Sequence, residues 1–597
     1  MTIRRVSIWL LLWQMIRYAQ RLYWVDTILW LLIAGLPALP GVLIREFFNS
    51  LTRQSAWAVS FWTWIALLLA TGLARIVAIF TGRITKTQHR FTMNSLVQRN
   101  LLANLLEYPG AQSLVSQQGN QPISPGEAIS FFRDDASQIE DTVVSTNEIL
   151  GEGVFAVGSL MLLLSVNATI TLVVFLPLAL IAAILHRVSD RIKRYRRASR
   201  QATQQVTGML GELFAAVQAI QVAGAETSVL AHLGKLCDHR RQSIVQDQLL
   251  TAILEASFEN LVSLGTGAIL LFAAQSMQSG TGSLTVGDFA LFVYYLTYVT
   301  YFFGFLGGFI TLSKQSEVSF DRMAGLANTD ATALVAPHPL YLPSLTGRRA
   351  PLRSPQSLEA PRDYLQDLHA RHLTYHYPGN DRGITDLSLH LQRGSFTVIT
   401  GTVGSGKTTL LRVLLGLLPT QSGAIFWNGQ QVTNPANFFV PPRSAYLPQV
   451  QQLFSTSLRD NIVLGLDQPD EALRWAIALA CLERDLATLT DGLETQIGAR
   501  GMRLSGGQIQ RVATARMLIR QAELLVFDDV SSALDIETEQ RLWSRLFELK
   551  ASKSWTPTFL VVSHRRAVLE RADHILLLNH GRVEGEGTLA DLPAAYQ

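Results

Sequence analysis

A glycine-rich run, Gly-Thr-Val-Gly-Ser-Gly-Lys-Thr-Thr, occupies residues 401–409. It follows an apolar, β-prone segment at 396–400 and precedes an amphipathic segment at 410–418, which is the strand–loop–helix context of a phosphate-binding loop. Glycines let such a loop curl until successive N–H groups face phosphate oxygens at a helix N-terminus. The run predicts a nucleoside-triphosphate site in which Lys407 reaches the outer phosphates and Thr408 ligates Mg²⁺. The predicted binding residues are Gly401, Thr402, Gly404, Ser405, Gly406, Lys407, Thr408 and Thr409.

The first half of the chain is strongly apolar. Charged residues make up 16% of the whole sequence, against about 25% in an average soluble domain, and the deficit lies in this half. Only Ser165-Val166-Asn167 separates two of its apolar runs, which argues against buried core helices. We expect an all-α transmembrane domain at 1–330. Its six spans, each near the twenty residues that a bilayer requires, are predicted near 22–48, 56–82, 143–165, 168–187, 251–277 and 285–312.

Basic residues indicate how these spans are oriented in the lipid bilayer. They cluster after the second and fourth runs, whereas the predicted outer loops hold a single one, Arg53. Because cytoplasmic loops carry an excess of Lys and Arg, we expect both termini and the segments 83–142 and 188–250 in the cytoplasm. Topology explains the Arg-rich stretch at 187–200 better than nucleic-acid binding does, so no nucleic-acid partner is predicted. The basic loops and the lack of a targeting peptide favour a bacterial inner membrane.

Two pairs of acidic residues lie inside or at the edge of spans. Glu148 and Glu152 are four residues apart, as are Glu255 and Glu259, so each pair shares one helical face. Ionisable residues in a membrane favour a functional role. Their position toward the cytoplasmic ends leaves two interpretations open, the wall of a solvated cavity and a substrate ligand.

The pattern changes after residue 330. A proline-rich segment at 331–365 is typical of an extended surface connector. From 366 onward the chain has α/β character, and 366–597 is predicted to be a P-loop ATPase domain. Its predicted strands lie near 370–376, 386–392, 396–400, 423–428, 524–528 and 558–563.

Two of these strands end in residues that complement a phosphate loop. The run Leu524–Phe527 ends in Asp528 and Asp529, and a carboxylate there can hold Mg²⁺. Capping of the next helix is the alternative, but it is a weaker explanation once a phosphate loop is present. His564 follows another strand, where an imidazole can bond a γ-phosphate or hold a water.

A second anion-binding sequence, Leu504-Ser505-Gly506-Gly507-Gln508, runs directly into a helical segment. One chain has no evident need for two such sites on one nucleotide. Two chains facing head to tail do, because each supplies a phosphate loop to one nucleotide and a Ser-Gly-Gly cradle to the other. The sequence therefore predicts a dimer with nucleotide at its interface.

With these motifs in this order, the chain resembles the ATP-binding cassette (ABC) transporters, specifically exporter-type half-transporters with six spans ahead of one nucleotide-binding domain. The resemblance implies ATP and Mg²⁺ as cofactors, a second half-transporter as partner, and transport by alternating access. It also implies roles for single residues. These are Tyr377 stacking on adenine, Gln449 as a nucleotide and metal contact, Ser505, Gly506, Gly507 and Gln508 as the signature, Asp528 as the Walker B metal ligand, Asp535 in the D-loop and His564 as the switch histidine.

Two positions depart from the family pattern. The family's general base is a glutamate, and here Asp529 stands in its place; Ala499 replaces a usual acid before the signature. With Lys407 and His564, Asp529 completes the predicted catalytic set. An aspartate at this position marks the degenerate site of exporters built from two different chains. We therefore expect a heterodimer in which this chain carries the slow site, with a homodimer of two slow sites as the alternative.

The expected activity is ATP-driven export of a hydrophobic or amphipathic small molecule or lipid. The last span is rich in aromatic residues that could line a cavity or simply pack helices: Tyr294, Tyr295, Tyr298, Tyr301, Phe302 and Phe303. Two other functions remain open, an ATP-gated regulatory membrane protein and uptake of the siderophore type on an exporter scaffold.

Overall fold

The structure is a computed structural model of the chain. It describes residues 6–55, 57, 59–107, 125–278, 285–340, 364–379, 382–498, 504–530, 534–551 and 555–593, with the backbone alone at 176–193 and at scattered positions nearby. The chain divides into two compact units, Met1–Asn104 with Leu114–Leu342 and Leu105–Ser113 with Pro343–Gln597.

The first unit is helical throughout its described residues. Its helices are α1 (Ile8–Tyr18), α2 (Gln20–Gly35), α3 (Ala38–Leu51), α4 (Phe61–Glu107), α5 (Pro125–Ser130), α6 (Ala136–Val166), α7 (Ala168–Ala215), α8 (Val217–Val222), α9 (Glu226–Gln278), α10 (Val286–Leu326) and α11 (Ala331–Leu334), with a π-helical turn at Phe131–Asp135.

Among the described residues, four stretches are long and apolar enough to cross a membrane: Gln20–Leu51, Phe61–Glu107, Ala128–Val166 and Val286–Leu326. They contain the spans expected at 22–48 and 143–165 and include most of those expected at 56–82 and 285–312. The spans expected at 168–187 and 251–277 fall within α7 and α9, where many side chains lie outside the described residues. The expectation of a helical transmembrane domain ahead of an α/β domain is confirmed.

The first expected span is not one continuous helix. Helix α2 ends at Gly35 and α3 begins at Ala38, with Pro37 between them. Proline has no N–H to donate to the preceding turn, and its ring clashes with the carbonyl four residues earlier. The run is long and apolar enough to cross a membrane, as expected, but Pro37 interrupts its helix.

Several helices extend well past the predicted membrane segments. Helix α4 has 47 residues, which at about 1.5 Å per residue gives about 70 Å, more than twice the hydrocarbon thickness. The expected turn at 165–167 is present, since α6 ends at Val166 and Asn167 caps α7 by accepting a bond from the Ile170 N–H at 3.0 Å.

Polar side chains join the helices within this unit. Asn147 on α6 donates to the Asp26 carboxylate at 2.8 Å and accepts from the Thr27 hydroxyl at 2.8 Å, all three being buried. Glu148, left open by the sequence, forms an ion pair with Lys86 of α4. The pair joins α4 to α6 within this unit, and both interpretations of Glu148 stay open.

The second unit contains two β-sheets. Its strands are β1 (Asp367–His376), β2 (Gly383–Gln392), β3 (Phe396–Gly401), β4 (Ser422–Trp427), β5 (Gln430–Gln431), β6 (Ser444–Leu447), β7 (Leu524–Asp528), β8 (Thr558–Val562), β9 (His574–Asn579) and β10 (Arg582–Gly587). One sheet has the order β2-β1-β4-β5 and is antiparallel; the other has the order β10-β9-β3-β8-β7-β6 and is parallel from β9 to β6. All six strands expected from the sequence are present.

Helices accompany both sheets. They are α12 (Lys407–Leu414), α13 (Pro435–Phe438), α14 (Leu458–Val463), α15 (Asp470–Leu479), α16 (Glu483–Thr488), α17 (Gly506–Leu518), α18 (Ile536–Ala551) and α19 (Arg566–Leu569). Strands β3, β7 and β8 are buried along their whole length, as expected for a parallel sheet covered on both faces.

The segment expected to be an unpacked connector differs from that expectation at both ends. Leu334 and Val335 are buried in the first unit, and Leu365 is buried in the core of the second. The apolar side chains of this segment supply the packing, which the abundance of prolines did not indicate. Residues 341–363 lie outside the described residues.

A close helix contact in the first unit gives a stability prediction. Gly287, near the start of α10, donates its N–H to Asn49 Oδ1 of α3 at 3.2 Å, and a Cβ there would overlap the Arg45 carbonyl oxygen. We expect Gly287→Ala to destabilise the protein by about 1–3 kcal/mol and to lower its thermal midpoint in detergent. The matched control is Gly307→Ala on the same helix, where no described atom lies within 4 Å of the added Cβ. Equal midpoints for the two variants would contradict this packing.

Candidate functional site

Four neighbouring strands of the parallel sheet place the predicted nucleotide residues at one edge. Strands β3, β8, β7 and β6 are adjacent and run in the same direction. Their carboxyl ends lead into the glycine-rich loop, His564, Asp529 and Gln449 respectively. Ligands bind at this edge of open α/β sheets. The fold thus brings together motifs that lie as much as 163 residues apart in the sequence.

The glycine-rich loop has the backbone conformation that only glycine adopts readily. Gly404 and Gly406 have φ of 83° and 101°, and α12 begins at the next residue, Lys407. At Gly401, with φ of 138°, an added Cβ would overlap the Leu578 carbonyl oxygen of β9. The backbone itself therefore forms the cradle, and its N–H groups at the start of α12 suit an anion.

Lys407 lies folded onto this loop. Its Nζ donates to the carbonyl oxygens of Gly401 and Thr402, each at 2.8 Å. Burial lowers the pKa of Lys407, although the negative charges of Asp528 and Asp529 act in the opposite direction. Because the Lys407 ammonium is partly removed from water, a phosphate group bound in this loop would stabilise its positive charge.

Asp528, at the end of β7, is 1% exposed and has a donor on each oxygen. Thr408 Oγ1 donates to Oδ1 at 3.0 Å, and the Tyr446 hydroxyl donates to Oδ2 at 3.1 Å. Burial raises the pKa of Asp528, and these two hydrogen bonds partly offset that rise. A hydroxyl and a carboxylate at hydrogen-bond distance are oxygen donors of the kind that Mg²⁺ prefers, so this donor set fits the metal.

Asp529 and His564 follow two neighbouring strands, β7 and β8, on one side of the loop. Asp529 has φ of 55°, and its N–H donates to the Val562 carbonyl of β8 at 3.2 Å. His564 Nδ1 lies 3.5 Å from the Thr400 hydroxyl. Burial, followed by the charge of Lys407, lowers the pKa of His564, so the imidazole is neutral at pH 7. A neutral imidazole can accept a proton or a hydrogen bond at this edge.

The remaining nucleotide residues occupy separate positions. The Tyr377 hydroxyl lies 3.4 Å from Thr409 Oγ1, which places its half-buried ring beside α12. Gln449 is exposed just past β6. Asp535 caps α18 by accepting from the Thr538 N–H at 2.9 Å, a bond that lowers the pKa of Asp535. Ser532 and Ala533 of the D-loop, and Ala499, lie outside the described residues.

The Ser-Gly-Gly motif is at a helix N-terminus, as the sequence predicted. Ser505 caps α17 in a capping box with Gln508, whose N–H bonds Ser505 Oγ at 3.3 Å. Gln508 and Arg511 also bond the Asp485 carboxylate, Arg511 at 2.6 and 2.9 Å. Among the described residues, the side chains of this motif bond Asp485, whereas the glycine-rich loop bonds Asp528 of β7, Tyr377 and Gly581, which follows β9.

The sequence matches known families over most of its length. Residues 384–532 match the family model of the ABC transporter, and residues 31–304 match that of the ABC transporter transmembrane region. The chain belongs to the ABC transporters. Both units are thus accounted for, and the transporter has the half-transporter architecture expected from its motifs.

Individual relatives agree with this assignment. The transporter is similar to the ATP-dependent lipid A-core flippases of Chromobacterium violaceum (26% identical over 540 residues, 88% of this chain and 84% of the flippase) and Xanthomonas oryzae pv. oryzae (25% over 539 residues, 90% and 86%). The structure of a bacterial Atm1-family ABC exporter with ATP bound has a TM-score of 0.77 at 20% identity and covers 95% of both chains, which establishes the common fold. The transporter is an ATPase coupled to membrane transport.

Several residues that support the transporter's site belong to none of the sequence motifs. Tyr446 holds Asp528, Thr400 contacts His564, and Arg511 pairs with Asp485 beneath the signature helix. Arg565, next to the switch histidine, pairs with Glu539 of α18 and donates to the Leu534 carbonyl at 3.2 Å. Only Tyr446 could have been noticed in the sequence, because its hydroxyl group stands in a short apolar strand. The other contacts join elements distant in sequence.

Loss of the Tyr446 hydroxyl should weaken Mg²⁺-dependent nucleotide binding. Tyr446→Phe keeps the ring but removes one of the two donors to the buried Asp528 carboxylate. A hydrogen bond to a charged group contributes about 1.5–3 kcal/mol, so we expect roughly tenfold or greater loss of affinity for ATP with Mg²⁺, and a smaller loss with EDTA. Tyr364→Phe, at an exposed tyrosine of the same unit, is the control. Affinity within twofold of the unmodified chain would show that Asp528 does not need this donor.

Proposed function

We propose that this ABC transporter is one half of a dimeric exporter that moves a hydrophobic or amphipathic substrate by ATP-driven alternating access. The proposal rests mainly on one observation, the convergence of the phosphate loop, Asp528, Asp529 and His564 at a single sheet edge. The apolar helices of the first unit and the export-related names of the relatives support the direction and the class of substrate.

In this proposal each residue at the edge has one task. The backbone N–H groups of 401–406 and Lys407 bind the phosphates, and Tyr377 stacks on the adenine. Asp528, Thr408 and Gln449 would hold Mg²⁺, which would supply charge neutralisation on the outer phosphates. Asp529 would orient and deprotonate the attacking water, and the neutral His564 would donate a hydrogen bond to the γ-phosphate or accept one from that water.

The signature motif is proposed to act on a partner's nucleotide. Ser505 and Gly506 are exposed at the N-terminus of α17, a 13-residue helix with the positive end of its dipole toward solvent. The pairing of Gln508 and Arg511 with Asp485 holds this helix end in place without covering it. An exposed anion site on a different helix from the phosphate loop fits two chains arranged head to tail. Asp535, at the start of α18, would lie at the same interface.

Asp529 is the reason to expect slow turnover at this chain's own site. Its side chain is one methylene shorter than glutamate, which withdraws the carboxylate by roughly 1 Å, and a misplacement of that size can cost about 10²-fold in rate. The N–H bond to Val562 and the positive φ fix the Asp529 backbone against β8. The Asp529 backbone is thus held in place, so it cannot move forward to compensate for the shorter side chain. We infer a heterodimer in which the partner supplies the faster site.

The aromatic residues of α10 do not all suit a substrate cavity. Tyr295 is 1% exposed and donates to the Ala38 carbonyl of α3, so it packs helices together. Tyr294 and Tyr298 are half-buried, with ring centroids 5.2 Å apart, and Tyr301 is 61% exposed. Tyr294, Tyr298 and Tyr301 therefore remain the candidates for contact with a hydrophobic or amphipathic substrate, which the names of the flippase relatives also favour.

The exchange of Asp529 tests the slow-site proposal directly. In the full-length chain purified alone, we expect Asp529→Glu to raise ATP turnover by up to about 10²-fold, because it restores the missing reach. Asp529→Asn should lower turnover further, since the amide cannot accept the proton, while leaving ATP affinity nearly unchanged. Brisk turnover by the unmodified chain, with no gain from Asp529→Glu, would remove the case for a degenerate site.

A mixed dimer tests whether the nucleotide lies between two chains. In the Asp529→Glu background, Lys407→Ala removes the phosphate contact, and Ser505→Arg blocks the start of α17. In a head-to-tail dimer of the two variants, both defects fall in one site and the other site is intact. We expect vanadate-trapped nucleotide in the mixed dimer, isolated through two different affinity tags, well above either variant alone. No recovery in a mixed dimer of proven composition would exclude the shared site.

A further inference from the structure

Two histidines face each other across the antiparallel sheet of the second unit. His369 of β1 and His390 of β2 are direct register partners. Their rings are nearly parallel, 7° apart, with centroids 3.9 Å from each other. Side chains directly opposite in an antiparallel pair have Cβ atoms about 5 Å apart, so two imidazoles at such a position can reach one ion.

A carboxylate adjoins this pair. Asp367 lies two residues before His369 on β1, so both side chains lie on the same face of the sheet. Asp367 Oδ2 is 3.0 Å from His369 Nε2, and one ligand atom from each of Asp367, His369 and His390 lies within 4.8 Å of the others. Two ligand atoms about 2.1 Å from a common ion, at right or tetrahedral angles, are about 3.0–3.4 Å apart. The Asp367–His369 spacing already meets this requirement.

Only His390 must move to complete the set. It is exposed and lies on the outer strand of its sheet, so its side chain is less confined than a buried one. A further imidazole, that of His574 on β9, is near enough to act electrostatically on His390. The Nδ1 of His574 is buried and has no hydrogen-bond partner among the described residues.

We propose that Asp367, His369 and His390 form a surface binding site for a divalent transition-metal ion, with Zn²⁺ as the representative case. Two imidazole nitrogens and one carboxylate oxygen suit Zn²⁺, Ni²⁺ or Cu²⁺, whereas Mg²⁺ prefers oxygen ligands in octahedral geometry. The site lies on the antiparallel sheet and shares no residue with the nucleotide edge. Positions left open by the three protein ligands are available to water.

The bound ion would link β1 to β2. Asp367 and His369 lie at the start of β1, and His390 lies near the end of β2, so the ion would hold the open ends of the two strands together. Because the three ligands converge only in the folded state, the ion would bind the native chain preferentially and stabilise it. This inference is independent of the export proposal, since it requires neither nucleotide nor a partner chain.

The test uses the full-length chain in detergent, purified without a polyhistidine tag and stripped with EDTA. We expect isothermal titration with Zn²⁺ to give one ion per chain at micromolar affinity, and Zn²⁺ to raise the thermal midpoint reversibly with EDTA. His369→Ala and His390→Ala should each weaken Zn²⁺ binding at least about tenfold. Millimolar Mg²⁺ should not compete.

The matched control is His372→Ala. His372 lies on the same strand and pairs with Asp386 at 2.7 Å, but it is exposed and belongs to no cluster of three ligands among the described residues. It should bind Zn²⁺ as the unmodified chain does. Unchanged affinity in both His369→Ala and His390→Ala, or equal losses in His372→Ala, would overturn the proposal. Nucleotide binding measured in every variant shows that the domain is folded.

Discussion

The burial of one carboxylate constrains the whole nucleotide edge. Asp528 is 1% exposed, and an ionised carboxylate removed from water is costly unless donors or cations compensate for it. Compensation comes from Thr408 on α12, from Tyr446 on β6 and from the charge of Arg412. Loop, helix and two strands are therefore tied to a single group. A shift of the phosphate loop would remove the Thr408 donor from that group, which favours a cradle that is formed before a ligand arrives.

In the helical unit, the corresponding constraint is that buried charges find partners on other helices. Arg45 of α3 pairs with Asp288 of α10 at 2.6 Å, and Lys86 of α4 pairs with Glu148 of α6. Apolar surfaces alone specify the pairing of membrane helices weakly, because lipid is as apolar as a leucine side chain. Polar pairs at single positions fix which turns face each other. These two ion pairs join helices that are distant in sequence, which the sequence alone could not predict.

Local patterns predicted much of this fold and site. The phosphate loop, the acids after β7 and the cap of α17 each depend on a few consecutive residues, so their spacing alone locates them. Contacts between distant segments were not predictable: Tyr446 with Asp528 and Arg511 with Asp485 require the finished sheet and helix packing. The pairing of His369 with His390 depends on register, and register shifts between Ala370 and Leu373 show that the register is irregular. Pro37 was a signal for the break after α2 that the hydropathy of the run concealed.

The position of Asp529 explains how one chain of the proposed dimer could hydrolyse ATP more slowly than the other. Its backbone is fixed by the bond to Val562, on the strand that leads into His564, so the sheet sets the positions of Asp529 and His564 relative to one another. A shorter side chain on a fixed backbone would slow the chemistry without disturbing phosphate or metal binding. A site that binds ATP well and cleaves it slowly would keep two cassettes joined while the other site turns over. Such asymmetry would let one chain control how long the dimer stays closed and the other control how often it opens.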